Sequence, residues 1–380
     1  MSHFAPPRLN ACRLLLALAL AVLGGCVSAE SWEATRLLAD IDAGAGPSAL
    51  KDLTPTPSRT TLRYSVEGRS GLADLYAPHQ PVGGAMVLVP GFTELGKNDR
   101  RVVELARSLS RARFLVMVPD LPGSRQQRVL LEDARVIADA VIQLRRQAPE
   151  ATHQGLGVVA ISYAVGLAVL ASRQVAPEAA PDFLVGVGGY YDTGAVVTFA
   201  TTGKYRLPGA ERWRSGEPLP AAKWIFLASN AAVLENSAER RRLEEISERC
   251  LRGCDSSAAD FAAGLGAEGR SLLALIANTD PDRVPQLLAE LPESVKTRMK
   301  RLSLRRQDLS HLAGRLILIH GRLDPLIPYS ESLALSRAVP GSEVFLIDGF
   351  SHITPRGVDW AGQLQLIDAI QAVLRRRGAQ

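Results

Sequence analysis

From residue 84 onward, short apolar runs alternate with segments whose apolar residues recur every three or four positions. The runs at 85–89, 114–118, 156–161 and 183–187 are almost continuously apolar and of strand length. Segments 101–111, 129–147 and 163–173 between them carry the helical period. Strands with no polar face belong in a mostly parallel sheet covered by helices on both sides, which predicts an α/β fold. Residues 62–66 and 73–77 read as an antiparallel pair joined by a Gly-containing turn. The alternation stops at Tyr190. Segment 191–304 contains no buried strand pattern and predicts helices at 221–248, 258–277, 285–291 and 295–302. Strand logic returns at 315–320, followed by a helix at 329–338, a last strand at 344–347 and a closing helix at 360–375. Upstream, residues 26–58 read as a tether punctuated by Gly44, Gly46, Pro47, Pro55 and Pro57, with a short helix at 32–42.

A length of 380 residues and an apolar content of 47% allow one large α/β domain with an insertion, or two modest domains. The net charge of +5 is mild, and its arginines are scattered through helices without aromatic interleaving, which gives no support for nucleic acid binding. No Gly-rich phosphate loop with a lysine and no metal-ligand cluster is present, so no cofactor or metal is implied.

The first residues have a separate logic. Arg8 and Arg13 precede an apolar run at 14–23, which is short for a bilayer span and ends in Leu23-Gly-Gly-Cys26. A basic segment, an apolar segment and small residues before a cleavage point make a secretory signal over 1–25. The cysteine directly after the small residues resembles the lipobox of bacterial lipoproteins. That resemblance implies cleavage before Cys26, acylation there and a lipid anchor in the bacterial envelope, with Val27 pointing to the outer membrane. The alternatives are an ordinary signal peptide or an uncleaved anchor. In an oxidising envelope Cys250 and Cys254 can form a disulfide; a metal site would need further ligands, and no histidine lies near them in sequence.

Candidate chemistry centres on Ser162. In Gly155-Leu-Gly-Val-Val-Ala-Ile-Ser162-Tyr-Ala-Val-Gly166, a run of β-formers ends in a serine and small residues then open an apolar helix. A serine hydroxyl needs a base to take its proton and a third group to hold that base. Of six histidines, His3 lies in the leader, His79 follows an edge strand, and His153 and His311 precede strands at the far end of the sheet. His320 ends a strand, where Gly321 and Asp324 suggest that it shapes a loop. His352, just past the last strand in Asp-Gly-Phe-Ser-His352, remains.

Ser162, the Asp324 of His-Gly-Arg-Leu-Asp324-Pro and His352 follow in that order, each at the end of a strand, and this resembles the α/β-hydrolase superfamily over about 60–190 and 305–380. Alanines at 160 and 164 stand where that family usually has glycine. The resemblance implies an α/β-hydrolase core at 59–190 and 305–380 with a helical cap at 191–304. It assigns Ser162 as nucleophile, His352 as general base and Asp324 as its orienting acid, with Asp192 as a rival acid. Asp120 and Asp348 read as structural. The backbone N–H of Tyr163 and that of Phe92, after Pro90-Gly91, are the implied oxyanion donors. Thr93 either adds a hydroxyl to the site or caps the turn. Tyr190 reads as floor or rim of the site, and 224–227 as cap core with an inner face that can line an acyl pocket. The expected activity is serine hydrolysis of small carboxylic esters or thioesters. Acyltransferase and peptidase chemistry on the same fold, and a noncatalytic envelope lipoprotein, are the alternatives.

Overall fold

A strand with no solvent face must be covered on both sides, and the apolar runs of this chain meet that requirement in one sheet. The structure is a computed structural model that describes residues 28–254, 258–351 and 358–378. β1 (Ser58–Val66) and β2 (Arg69–Ala77) form a hairpin whose two turn residues, Glu67 and Gly68, both have positive φ, the twist-matched geometry of a tight hairpin. β3 (Gly84–Val89), β4 (Phe114–Pro119), β5 (Leu156–Ile161) and β6 (Phe183–Val187) follow, with helices between them. After the tiny pair β7 (Lys204–Tyr205) and β8 (Arg214–Ser215) come β9 (Leu316–Gly321) and β10 (Glu343–Ile347). The large sheet has the order β1-β2-β4-β3-β5-β6-β9-β10, parallel from β4 to β10, with β2 antiparallel to β4.

Alternation along the buried strands separates two cores. Ala85, Val87 and Val89 pack under helices Asp133–Gln147 and Ala164–Ser172 with Ile137, Val141 and Leu167. Met86 and Leu88 point the other way, onto helices Ala29–Ala43, Arg100–Arg111 and Trp360–Leu374 with Leu37, Leu109 and Val373.

The expected tether at 26–58 is corrected by this second core. From Ala29 the chain is a docked helix, capped by Ser28, that buries Ala34, Leu37 and Asp40. Burial alone would raise the Asp40 carboxyl. Hydrogen bonds from Lys51 at 2.6 Å, Ser108 at 2.6 Å and Ser48 outweigh it and hold the pKa below the ordinary carboxylate value. Glu33 receives both Nη atoms of Arg377 at 2.6 Å, which ties the start of the described chain to its end. Prolines and glycines punctuate the segment but do not keep its amphipathic part off the sheet. Among the described residues no helix is long and apolar enough to cross a membrane, and the leader with Cys12 and Cys26 lies outside them.

Between β6 and β9 the chain builds a third, helical core from Leu227, Leu243, Ile246, Leu272, Val284 and Val295. Its two ends meet: the Leu304 N–H donates to Tyr191 O at 2.9 Å. The helix expected over 221–248 is two, Ala221–Ala231 and Ser237–Leu251, because Asn236 caps the second through the N–H groups of Ala238 and Glu239. The one expected over 258–277 is a 3-10 turn at Ala258–Phe261 and a helix at Ala267–Ala277, parted by Gly264 with φ +78. Thr193–Thr202, absent from the sequence reading, is also helical, capped by Asp192 and stopped by Gly203 in the left-handed region. Its β-branched residues argue against a helix locally, and burial of Val197 and Phe199 overrides them. Cys250 and Cys254 are joined as a disulfide with Cα atoms 4.6 Å apart.

Glu331, on helix Ser330–Ala338, fastens this insertion where it leaves the sheet by accepting from the N–H groups of Tyr191 at 3.0 Å and Asp192 at 2.7 Å. Burial pushes its pKa up to about 7 against those two bonds. The folded chain therefore keeps a proton that the unfolded chain has released, so stability falls as pH rises from about 4.5 to about 7. The slope from this group approaches about 1.4 kcal/mol per pH unit within that window. Glu331→Gln keeps both acceptor contacts without titrating. Urea midpoints measured at pH 5 and pH 7.5 are expected to differ less in this variant than in the parent, and an unchanged difference refutes the assignment.

Candidate active site

Ser162 follows β5 directly and sits at φ +61, a region that an L-residue with a side chain rarely occupies, at a cost of about 1–3 kcal/mol. Its neighbours hold it there. The Ser162 N–H donates to Val187 O at the end of β6 (2.7 Å), and Ser162 O accepts from Val165 N–H (3.1 Å) to start helix Ala164–Ser172. Ala160 and Ala164, two positions either side, are fully buried, so the turn is crowded on both flanks.

The loop after β3 passes over this turn. A Cβ on Gly91 would stand 3.4 Å from Ser162 Cβ, and the Phe92 ring stacks on Tyr163 with centroids 3.9 Å apart. Ser124 fixes that loop: its hydroxyl donates to Gly91 O at 2.7 Å and its carbonyl accepts from Thr93 N–H at 3.2 Å. The Thr93 hydroxyl donates to Asp99, so it serves the loop. Among the described residues no backbone carbonyl accepts from the N–H of Phe92 or Tyr163. Behind Tyr163, burial pushes the Asp133 carboxyl up to about 7, although Gly123 N–H donates to it at 3.0 Å.

Asp324 lies in the turn after β9 and is buried. Its Oδ1 accepts from the N–H groups of Leu326 at 2.8 Å and Ile327 at 3.0 Å. The imidazole of His320 underpins the same loop: Nε2 is 2.9 Å from Ile327 O and 3.3 Å from Asp324 Oδ2, and Nδ1 is 2.7 Å from Ser332 Oγ. Both neighbours of Nε2 are acceptors, so Nε2 carries a proton. The segment after β10 runs against this loop. Arg322 N–H donates to Ile347 O at 3.0 Å, and Phe350 O passes Gly321 so closely that a Cβ there would be 2.0 Å from it. His352 lies outside the described residues, one position beyond Ser351.

Ser162 opens onto a cavity of about 140 Å³ between the sheet and the helical insertion. Phe92, Tyr163, Tyr190, Val196, Ile225, Phe226, Leu326 and Ile327 are among its walls. Trp224 and Leu227, by contrast, face the third core, so the 224–227 run divides its residues between packing and cavity. Tyr190 forms the floor, fully buried with its hydroxyl donating to Leu302 O at 3.2 Å; burial raises its pKa far above the ordinary value. The ring lies flat against Gly166, where a Cβ would be 2.3 Å from it.

The remaining acids have other work. Asp192 caps Gly194 N–H at 2.9 Å and pairs with Arg305 at 3.3 Å, bordering a different groove. Asp348 pairs with Arg322 at 3.0 Å and Asp120 with Arg125 at 3.3 Å. Four polar residues of the cavity escaped the sequence reading: Thr193, Ser229, Asn230 and Arg298. The signal for Arg298 was its position among Val295, Met299 and Leu302, on the apolar face of helix Glu293–Leu302.

Tyr190 leaves no room beside Gly166, so Gly166→Ala is expected to displace the ring into the cavity and to lower stability by about 1–3 kcal/mol. A urea midpoint equal to that of the parent contradicts this packing.

No family model matches this chain, and neither does any curated protein. Among solved structures, DcsB in complex with its substrate analogue superposes with a TM-score of 0.50 at 14% identity, covering 85% of this chain and 100% of that one. The alpha/beta hydrolase GrgF from Penicillium sp. sh18 gives 0.49 at 13% identity, with 85% and 100% covered. An arylesterase gives 0.46 at 15% identity, with 84% and 85% covered. At such identities a likeness speaks to architecture alone. The chain has the α/β-hydrolase fold, with a helical insertion between β6 and β9.

Proposed function

We propose that this protein is a serine hydrolase of small carboxylic esters or thioesters. The observation that carries the reading is Ser162 itself, held at φ +61 between β5 and its helix and facing a cavity walled mostly by apolar side chains. In this reading Ser162 Oγ attacks the ester carbonyl while His352 takes its proton, and Asp324 orients the imidazole. The N–H groups of Phe92 and Tyr163 receive the developing oxyanion, which a preorganised loop stabilises better than water can. The alcohol or thiol leaves with the proton from His352. Water then attacks the acyl carbon and gives its proton to the same ring, which passes it to Ser162 Oγ as the acid is released. A cavity of about 140 Å³ resembles in size one that holds a single benzene ring, so the acyl part is short. Bulky peptides and long acyl chains are poorer candidates.

A fluorophosphonate probe is expected to label the protein and to leave Ser162→Ala unlabelled; a folded parent that does not react sinks the reading in favour of a noncatalytic role. Asp324→Asn should lose about 10³- to 10⁴-fold in kcat on a short-chain aryl ester. Asp192→Asn should stay within about twofold, because this side chain faces another groove. The reverse ranking would move the acid to Asp192. Product partition to an added alcohol would convert the assignment to acyltransferase.

Cys26 supports a second, separable part of the reading, a lipid anchor in the bacterial envelope. Cys26→Ser is expected to shift the protein from the membrane to the soluble fraction on expression in a Gram-negative host. Unchanged sedimentation with membranes overturns it.

A further inference from the structure

The apolar cavity at Ser162 is lined by an arginine that has no counter-ion among the described residues. Arg298, only 9% exposed, lines it from helix Glu293–Leu302. One hydrogen bond is formed, from Nη2 to Val129 O, and the buried Nε has no partner. Among the described residues no carboxylate lies within ion-pair distance of it. The other buried arginine among the described residues is compensated: Arg111 faces Asp40 at 3.9 Å. Of the charges that act on Arg298, Glu132 is exposed, while Arg128 and Arg301 oppose it, and Arg128 is already paired to Glu244 at 3.0 Å. Burial is the main force lowering the pKa of Arg298, yet a guanidinium stays charged in proteins.

Asn230 is a second polar mark in the same wall, 4% exposed. Its Nδ2 donates to Phe226 O at 2.8 Å. That carbonyl can only accept, so the amide orientation is fixed and Oδ1 is left buried without a partner. An acyl pocket for hydrocarbon alone gains nothing from an unneutralised cation and a bare amide oxygen, because each is costly to bury. The cation has value only if an anion enters, whereas the bare Oδ1 is an acceptor and calls for a donor rather than a carboxylate.

We propose that the substrate is a short ester whose acyl part ends in a carboxylate, such as a half-ester of a small dicarboxylic acid, and that Arg298 receives this carboxylate as its counter-ion. The inference rests on the assignment of Ser162 as nucleophile. Arg298 acts as a specificity residue at the far end of the acyl chain, while the chemistry at the ester carbonyl is unchanged. The alternative is that Arg298 only bolts the insertion to Val129.

Monomethyl glutarate and methyl pentanoate, which differ at the chain end, separate these possibilities. The parent is expected to prefer the half-ester by about tenfold or more in kcat/KM, as a charge-assisted hydrogen bond would give. Arg298→Met should lose more on the half-ester than on methyl pentanoate, with the difference in KM, and Arg298→Lys should retain part of the preference. Equal loss on both esters in Arg298→Met, or a parent that prefers methyl pentanoate, overturns the proposal. Calorimetry on Ser162→Ala reads binding without turnover and needs no variant at 298: monomethyl glutarate is expected to bind more tightly than methyl pentanoate, and the opposite order also overturns it. If the parent hydrolyses neither ester but Ser162→Ala still selects the half-ester, the hydrolase reading fails and the anion site stands.

Discussion

A single backbone torsion governs the architecture around the site. Ser162 must turn from strand to helix in one step with φ positive, and this is tolerable only where both flanks are small and the next strand supplies an acceptor. Val187 O provides that acceptor, while Ala160 and Ala164 provide the space. The facing loop at Gly91 passes within ordinary contact distance of that turn, and Ser162 borders the cavity. Strain is concentrated at the residue whose chemistry depends on being presented at the end of the sheet.

The insertion is fastened to this frame at a few points. Tyr191 and Leu304 close its base, Glu331 holds its first residues, and Val129 grips it from the opposite side. At Val129 the backbone N–H donates to Ser229 at 3.2 Å and the carbonyl accepts from Arg298, so one residue of the sheet domain meets two insertion helices. The cavity therefore lies between two bodies with separate hydrophobic cores. Polar ties such as Arg128 to Glu244 at 3.0 Å and apolar packing of Val196 and Leu302 on the sheet-side core join the two.

The sheet was legible in the sequence because β3, β4, β5 and β9 are buried on both faces, which leaves an unbroken apolar run no other reading fits as well. Ser162 and Asp324 were legible because each follows such a run, and position at a strand end is a one-dimensional property. What failed were features decided by distant partners. Helix Thr193–Thr202 is hidden by threonines and valines that favour strands locally. The short helix at 32–42 is legible but its docking is not, since the buried Asp40 makes sense only beside Ser108 and Lys51. Arg298 looks like one arginine among many until its surroundings are assembled, because an absent counter-ion leaves no trace in a linear pattern.

The docked helix also sets a leash length. Ser28 already caps it, so only Val27 would separate an acylated Cys26 from the folded body, a span of at most about 7 Å. With Glu33 locked to Arg377 and Leu37 in the core, that body could neither swing freely nor stand off from the bilayer. It would lie against the headgroups in a restricted set of poses, and ester reaching the serine from the lipid side would travel a different route from ester arriving through the bulk.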